Sequence, residues 1–447
     1  KGDLTVLAGG AIDFSNGGNI IFRGDALQTV SNNGAVAQVY DLTFSNPSGV
    51  TFAAGNGYEL NNEIILNSGT VTMNDEITFI SNATNTAHFE TVAAGSNFTG
   101  TIIQQRYIGP RLAGWNDIGT GVTGATIAEL DDNLKISGVS GADGYAWNNA
   151  GGGFISIWYV DEAGGGWTPV GNVNDNMDNG RGYEIWLADN LTNYGGGVFD
   201  VQGTVDLSDV AQLTLEVTTN NGGWNLLSNP VPAFLDFNAV NNSSGNITNS
   251  EFWTVEATTN TFQPKTIADP IYPSQGFWLN MTAGTDIVLD LTTDILSGGN
   301  GSSFYKNEYQ PDEELRVLVQ KKNTAVPTGS NVYLRKHNYG FACQDELDVP
   351  SLRLPGPESC ELAFGKAEAD KSLVNYVSVM DDHLELPISF DSKSEGEFEM
   401  SFDGLEEFYE YQCINLVNHT TGEQIPVTSS SVYTFDAAAD TPVNMSL

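Results

Sequence analysis

GWNDIG at residues 114–119 and GWNLLS at residues 223–228 are two copies of one turn-and-strand pattern. Two further pairs of landmarks follow in the same order: IWYV (157–160) with FWTV (252–255), and GYEIW (182–186) with GFWLN (276–280). A repeat of this kind defines the architecture of the region that contains it. The sequence therefore predicts two tandem β-sandwich-like modules, copy 1 at residues 107–210 and copy 2 at residues 211–303.

The first landmark of each copy contains a tryptophan, Trp115 or Trp224, which is predicted to plug the core of its module. The third landmark opens with a glycine, Gly182 or Gly276, which permits a left-handed corner or a close approach of backbone. The first two landmark tryptophans are 43 residues apart in copy 1 and 29 apart in copy 2. Copy 1 is therefore expected to carry an insertion, around residues 137–153.

Residues 1–106 alternate short apolar pairs with Gly, Asn, Ser and Asp, and several pairs recur after eight residues, as Ile12 does at Ile20. Short strands at regular spacing predict a β-solenoid, in which stacked coils share one continuous core. A small antiparallel sandwich is the alternative, because short β repeats are common to both architectures.

A linker of flexible composition, SGGNGSS at residues 297–303, precedes a region with few Gly and most of the Lys and Glu. This last region, residues 304–447, contains roughly seven short strands with turn signals between them, which predicts a jelly-roll-like β-sandwich. The four regions together predict an all-β protein.

The chain is strongly acidic, with 56 Asp and Glu against 17 Lys and Arg and a formal charge of −39. Such a chain repels phosphate backbones, which argues against nucleic-acid binding. The charge suits a salty or extracellular setting, or alternatively the retention of divalent cations. No apolar run has the length of a membrane span. The start at Lys1, without Met or leader, predicts a mature or trimmed export product.

Copy 2 contains GWNLLSNPVPAFLDFN at residues 223–238 and YPSQGFW at residues 272–278. These stretches resemble a module of large secreted Bacteroidota proteins that leave the cell through the type IX secretion system. The usual form of that module is close to GWNLxGNPYP followed by a Gly-aromatic strand. This chain departs from it at Ser228, in place of the Gly, and at Val231, in place of the Tyr.

Two more stretches extend the resemblance over most of the chain from about residue 100 onward. TIIQQRY at residues 101–107 is similar to the strand before the first module, and CINLVNHTTG at residues 413–422 is similar to the last sandwich before the sorting signal. The sorting domain itself, with its Pro-Asn-Pro type opening, has no match here. The resemblance implies contact with secretion machinery, an extracellular or cell-surface location and no single activity.

The sequence contains no nucleophile elbow, no phosphate-binding loop and no pair of histidines at metal-ligand spacing. The four histidines, His88, His337, His383 and His419, are each expected to be surface or half-buried strand residues, not ligands or bases. The chain is therefore predicted not to be an enzyme, and Ca²⁺ is its only cofactor candidate.

The Ca²⁺ candidate is the loop NVNDNMDNG at residues 172–180, which offers oxygen ligands at alternate positions, Asn174, Asn176 and Asp178. It departs from a Ca²⁺ loop at Asn179, where a Gly is usual, and no Glu stands at the twelfth position. A plain solvated loop is the favoured alternative, because partial matches are frequent in Asp- and Asn-rich sequence.

Two tryptophans and one pair of cysteines complete the candidate residues. Trp147 and Trp167 lie in Gly-rich loops, where an exposed ring can stack on a sugar, so both are candidate carbohydrate contacts. Cys343 and Cys360 are close in sequence and are predicted to form a disulfide, as an oxidising compartment allows. Cys413 is then left as a thiol.

These observations predict a secreted or cell-surface structural or adhesive protein, a subunit of an extracellular assembly. The alternative is a carbohydrate-binding or polysaccharide-degradation accessory protein. Expected partners are further copies of the chain, other cell-surface proteins or glycans. Solenoid ends normally need polar caps, and the strand pattern near Lys1 has no recognisable one. This end is therefore expected to pack against another subunit or a preceding part of the polypeptide.

Overall fold

The computed structural model describes residues 2–109, 114–134, 136–142, 154–161, 166–187, 197–207, 213–215, 217–256, 259–298, 314–324, 328–337, 348–356, 358–367, 370–378, 384–408 and 413–447. Contacts divide the chain into two compact units, which is coarser than the four predicted regions. Unit 1 is Lys1–Pro110, Asn116–Phe252 and Lys265–Lys306, and unit 2 is Arg111–Trp115, Trp253–Pro264 and Asn307–Leu447. Both units are almost entirely β, which confirms the predicted fold class.

Unit 1 begins with a parallel solenoid. Its strands are β1 (Leu4–Val6), β2 (Asn19–Arg23), β3 (Gln28–Asn32), β4 (Ala37–Ser45), β5 (Val50–Ala53), β6 (Tyr58–Phe79), β7 (His88–Val92) and β8 (Ser96–Tyr107). One parallel ladder runs β2-β4-β6-β7 and another runs β1-β3-β5-β6-β8. Stacked partners are 22 residues apart, as Asn19 is from Asp41 and Asp41 from Glu63. The solenoid, and not the alternative sandwich, is therefore present.

A coil of 22 residues explains the eight-residue recurrence in the sequence, because each coil bends at corners between short sides and one side takes about a third of it. Val39, Phe44 and Phe52 come from successive sides of one coil, and each is at most 2% exposed. Phe22 of the preceding coil stacks on Phe44 with ring centroids 5.2 Å apart. The core is thus a column of inward side chains shared by neighbouring coils.

The two repeat copies follow the solenoid. Copy 1 contains β9 (Gly114–Ile118), α1 (Ile127–Asp131), β10 (Ile157–Asp161), β11 (Gly166–Pro169), β12 (Tyr183–Leu187) and β13 (Val198–Asp206). Copy 2 contains β14 (Leu213–Leu215), β15 (Trp224–Ser228), β16 (Leu235–Asp236), α2 (Phe237–Ser244), β17 (Phe252–Glu256), β18 (Thr261–Lys265), β19 (Pro270–Ile271), β20 (Gly276–Asn280) and β21 (Ile287–Leu289). Single 3-10 turns lie at Asn221–Gly223 and Thr248–Ser250.

Both helices are short and capped by sequence-local contacts. The Thr126 N–H donates to the Glu129 carboxylate (3.2 Å) at the start of α1, as in a capping box. The Asp236 carboxylate accepts the Asn238 N–H (3.0 Å) at the start of α2. Gly245 ends α2 in the left-handed conformation (φ 63°) that glycine adopts without strain.

Equivalent strands pair in the same way in both copies. In copy 1, β9 pairs with β12 and β10 with β11. In copy 2, β15 pairs with β20 and β17 with β18. The landmark tryptophans Trp115 and Trp224 are both buried, at 4% and 1% exposure. These observations support the internal repeat.

Within unit 1 the two copies meet through reciprocal contacts. Ile118 of copy 1 forms a β-bridge with Gln275 of copy 2, and Arg181 of copy 1 forms one with Leu227 of copy 2. The landmark alignment makes Ile118 equivalent to Leu227, and Gln275 equivalent to Arg181. Each bridge is therefore the other bridge with the copies exchanged.

The hydrogen bonds beside these bridges obey the same exchange. The Gly119 N–H donates to the Ser274 carbonyl (3.0 Å), and the Ser228 N–H donates to the Gly180 carbonyl (2.9 Å). Gly119 and Ser228 occupy equivalent positions, and a Cβ added to Gly119 would lie 2.0 Å from the Ser228 Cβ. An approximate twofold axis thus relates the copies and passes between Gly119 and Ser228.

Unit 2 contains the C-terminal strands. They are β22 (Glu314–Lys321), β23 (Gly329–Lys336), β24 (Val349–Pro350), β25 (Cys360–Phe364), β26 (Ser372–Val377), β27 (Pro387–Ser392), β28 (Gly396–Asp403), β29 (Asn415–Asn418), β30 (Glu423–Pro426), β31 (Val432–Ala437) and β32 (Val443–Ser446), with a 3-10 turn at Leu405–Phe408. The ladder order is β30-β29-β32-β27-β25-β26-β23-β22-β28-β31, and β24 joins it beside β26. Phe390 on β27 and Phe398 on β28 are far apart on this ladder, yet their rings are 4.8 Å apart. The ladder therefore folds over itself around one core, as a sandwich does.

Candidate functional site

The open end of the solenoid is the largest unpartnered feature of unit 1. β1 pairs only with β3, and β2 pairs only with β4, so among the described strands nothing pairs with their outer edges. Five of the eight large apolar side chains that are exposed in the described residues belong to this end: Leu7 (71%), Leu27 (60%), Ile21 (54%), Phe14 (45%) and Val36 (44%). We call this set the first-coil apolar surface.

The opposite end of the solenoid is covered from within unit 1. β13 pairs antiparallel with β8 over residues 99–107. Beside it, the Phe89 N–H of β7 donates to the Pro232 carbonyl (2.9 Å), and Phe89 bridges Ala233. The two ends therefore differ: one is closed by hydrogen-bonded chain, and the other presents free strand edges.

The first coil also differs in charge from the rest of the chain. The first 36 residues contain two basic and three acidic side chains, a net charge of −1: Lys1, Arg23, Asp3, Asp13 and Asp25. Because the whole chain carries −39, the remainder carries −38. The first-coil apolar surface is thus almost neutral in a strongly acidic protein.

A second candidate site lies near the covered end. Glu63, His88 and Glu90 are the only group of three or more His, Cys, Asp and Glu in the described residues whose ligand atoms all lie within 4.8 Å of one another. His88 is 1% exposed, and its Nε2 is 3.1 Å from Glu90 Oε2. Its other ring nitrogen, Nδ1, is 3.0 Å from the Thr86 carbonyl oxygen. We call these three side chains the His88 cluster.

The solenoid register assembles this cluster. Glu63 on β6 lies beside His88 on β7, one coil later, with both side chains on the outer face of the ladder. A bulge follows, because Ile64 pairs with Phe89 and Ile65 with Thr91. Glu90 is the extra residue of this bulge, and bulges of this kind redirect side chains next to functional sites.

Residues of copy 2 bury the cluster from outside the solenoid. The Phe234 ring meets the His88 ring edge to face, with centroids 4.8 Å apart. The Gly298 N–H donates to the Glu90 Oε1 atom, opposite the carboxylate oxygen that faces His88. Gly298 lies in the predicted linker at residues 297–303, of which residues 299–303 are outside the described ranges.

Charge and burial act differently on the two carboxylates. Burial, together with the negative charges of Asp41 and Glu90, holds the pKa of Glu63 above its usual value despite the opposing effect of His88. Burial alone would also raise the pKa of Glu90, but hydrogen bonds from His88 and the Gly298 N–H outweigh it and lower that pKa. The cluster therefore concentrates negative charge around one buried imidazole.

The expectation that His88 is a surface or half-buried residue is wrong, because residues of copy 2 cover it. Spacing in sequence did not reveal the cluster, since Glu63 and His88 are 25 residues apart and only the parallel register makes them neighbours. The usable signal is the ladder Asn19, Asp41, Glu63 and His88, a polar residue at the same place in each coil.

The predicted Ca²⁺ loop is held by its own contacts. The Asp178 carboxylate is 2.7 Å from the Arg181 guanidinium, so a cation already neutralises it. The Asn174 N–H donates to Asn172 Oδ1 (2.9 Å), and Asn176 contributes a backbone bridge to Thr126. These contacts favour the plain-loop alternative over Ca²⁺ binding.

Only one of the two predicted sugar-binding tryptophans can be placed. Trp147 lies outside the described residues. Trp167 is half-buried on β11, opposite Val160 of β10, and its ring is edge to face with Trp278 at 5.3 Å. It is therefore a packed hairpin residue with part of its ring accessible.

The structure contains Cys360 as a free, buried thiol, so the predicted disulfide to Cys343 is wrong at the Cys360 end; Cys343 itself lies outside the described residues. Cys360 belongs to the apolar core of unit 2 and pairs with Ser392 across the sheet. Burial raises the pKa of Cys360 to about 12. Closeness in sequence failed as a guide because β25 points this side chain into the core.

Thiol labelling should distinguish the cysteines. We expect iodoacetamide at pH 8 to modify exposed Cys413 within minutes and to leave Cys360 unmodified until the protein is unfolded, because the thiolate is the reactive form. Peptide mapping of labelled native protein measures both. A Cys343–Cys360 disulfide in the non-reduced map, or equal labelling of both thiols, would contradict the structure.

No protein-family model matches the chain, and searches of curated proteins and of solved structures also gave no match. Among the described residues, no helix combines the length and the apolar character needed to cross a membrane. The functional argument therefore rests on the chain itself.

Proposed function

We propose that this chain is a secreted or cell-surface structural protein, a subunit of an extracellular assembly, and that its first-coil apolar surface docks against a second copy. The observation that carries the proposal is the pair of free strand edges, β1 and β2, beside exposed apolar side chains. Free edges pair with other chains unless something blocks them. Neither strand contains a proline or lysine, two residues that commonly do so.

The charge distribution supports a second copy as the occupant. Two chains of charge −39 repel each other over most of their surfaces. Contact is least costly where the local charge is smallest, and the first 36 residues carry only −1. Association at this end should therefore strengthen as salt screens the remaining repulsion.

The resemblance of GWNLLSNPVP at residues 223–232 to the type IX secretion module supports a secreted location in this proposal. The tandem copies and the solenoid suit an extended structural element, because stacked repeats build long surfaces without a catalytic pocket. Adhesion to other cell-surface proteins belongs to the same proposal.

A carbohydrate-binding accessory role is the second candidate. The observation that favours it is the half-buried Trp167 ring on the β10–β11 hairpin, since a partly accessible ring can stack on a sugar. Binding of soluble polysaccharide that Trp167→Ala abolishes, in a protein that stays monomeric, would favour this role over assembly.

Sedimentation velocity over a NaCl series tests the assembly proposal. We expect the dissociation constant for self-association to fall by about tenfold between roughly 0.01 and 0.15 M salt, as the screening length shortens from about 30 to 8 Å. The triple variant Leu7→Lys, Ile21→Lys and Leu27→Lys should stay monomeric, because it adds charge to the docking surface.

The matched control is Val432→Lys, which places the same charge at an equally exposed apolar residue (59%) of unit 2 and should associate like the wild type. A monomer at every salt concentration, or equal loss of association in the control, would overturn the proposal.

A further inference from the structure

We propose that the His88 cluster is a binding site for one divalent transition-metal ion of the Zn²⁺ class, which ties two solenoid coils to the segment at residues 297–298. Glu63 supplies a ligand from β6, and His88 and Glu90 supply two from β7. This site differs from the predicted Ca²⁺ loop in residues and in chemistry.

The hydrogen-bond geometry of His88 is the first argument. Both ring nitrogens face oxygen acceptors, the Thr86 carbonyl at 3.0 Å and the Glu90 carboxylate at 3.1 Å. A neutral imidazole has one N–H and one lone pair, so it satisfies only one of these contacts. The other contact needs a proton or a cation between nitrogen and carboxylate. A metal ion at Nε2 meets this need and leaves the Nδ1–H on the Thr86 carbonyl.

The surroundings resemble the outer shell of a metal site. A metal-bound histidine usually donates its second N–H to a carbonyl or carboxylate, which fixes the ring. Thr86 does this for His88, and the Gly298 N–H holds the free oxygen of Glu90 in the same way. These contacts orient two of the three ligands before any ion binds.

The distances and the donor set select the class of ion. A tetrahedral ion with bonds of about 2.0–2.2 Å needs ligand atoms about 3.4 Å apart. The three ligand atoms lie within 4.8 Å of one another, so a modest rotation of half-buried Glu63 closes the site. One imidazole with two carboxylates suits Zn²⁺, Co²⁺ or Ni²⁺, whereas Ca²⁺ prefers oxygen ligands alone.

Electrostatics favours an ion at this place. Asp41 lies one coil before Glu63 on the same ladder and is held by the Asn62 side chain (2.7 Å), which adds a third carboxylate near the imidazole. Three carboxylates around one buried histidine leave excess negative charge that a divalent cation neutralises. Metal binding would therefore stabilise the contact between the coils and residues 297–298.

Titration of chelator-treated full-length protein with ZnCl₂ tests the site. We expect one equivalent to bind, and Zn²⁺ at about 100 times the dissociation constant to raise the melting temperature by roughly 5 °C, since a ligand specific for the folded state stabilises it. CaCl₂ at the same concentration should give no rise. Co²⁺ should give the visible absorption of a tetrahedral nitrogen-and-oxygen site.

Two variants keep the test decisive. Glu63→Gln removes a half-buried ligand that no hydrogen bond in the described structure ties to His88, so it should fold and should weaken Zn²⁺ binding more than about 100-fold. Glu59→Gln, four residues earlier on β6, is the matched control and should bind like the wild type. Equal Zn²⁺ binding by Glu63→Gln and the wild type, or no binding by the wild type at 1 mM Zn²⁺, would overturn the proposal and leave a simple His88–Glu90 ion pair.

Discussion

Gly119→Ser should lower the free energy of unfolding by roughly 3 kcal/mol, the upper part of the usual range for overpacking a filled core. The added Cβ would lie 2.0 Å from the Ser228 Cβ and 2.3 Å from its Oγ, at the axis between the two repeat copies. Flanking backbone hydrogen bonds on both sides of the axis resist separation of the copies. Urea unfolding followed by tryptophan fluorescence measures the loss.

The double variant Gly119→Ser with Ser228→Gly should restore stability to within about 1 kcal/mol, because it exchanges the two residues across the axis. Ser228→Gly alone should cost no more than about 1 kcal/mol, since the Ser228 hydroxyl is buried without a hydrogen-bond partner. Gly166→Ser, where nothing lies within 4 Å of an added Cβ, is the control and should be close to neutral. Additive losses in the double variant would contradict the twofold arrangement.

Trp224→Ala should cost roughly 3–5 kcal/mol, the usual loss when a large buried aromatic site is emptied. Trp224 is 1% exposed, and its ring meets the Trp278 ring edge to face at 6.2 Å. Trp278 itself donates its Nε1–H to Asp117 of copy 1 at 2.9 Å, so the cavity would open beside a contact that joins the copies.

Trp167→Ala is the matched comparison, because Trp167 also touches Trp278 but is only half-buried. It should cost less than about 2 kcal/mol, in proportion to the smaller apolar area that it buries. Equal losses in the two variants would show that Trp224 does not fill a core position.

Much of the fold could be predicted from the sequence, because it depends on local periodicity. Alternating apolar residues and recurrent turn residues identified the solenoid, and the GWN landmarks identified the repeat. Both signals lie within short windows or compare two windows directly. The all-β class follows from them, and the structure confirms it.

The candidate sites depend on register and could not be predicted in the same way. Glu63 meets His88 only because the coil between them has 25 residues, and Glu90 joins them only through a bulge. Gly119 and Ser228 meet at an axis that no alignment of the two copies reveals. Cys360 is a strand residue whose inward direction decides its fate, whereas the distance to Cys343 along the chain does not.

The central claim is that the free edges of the first coil are a docking surface for a second copy. Hydrogen–deuterium exchange across the salt series measures this directly, because strand pairing protects edge amides. We predict that amides of β1 and β2 gain protection in step with the sedimentation coefficient, while those of β31 in unit 2 stay unchanged. Association without added protection in β1 and β2, or protection confined to other strands, would contradict the account.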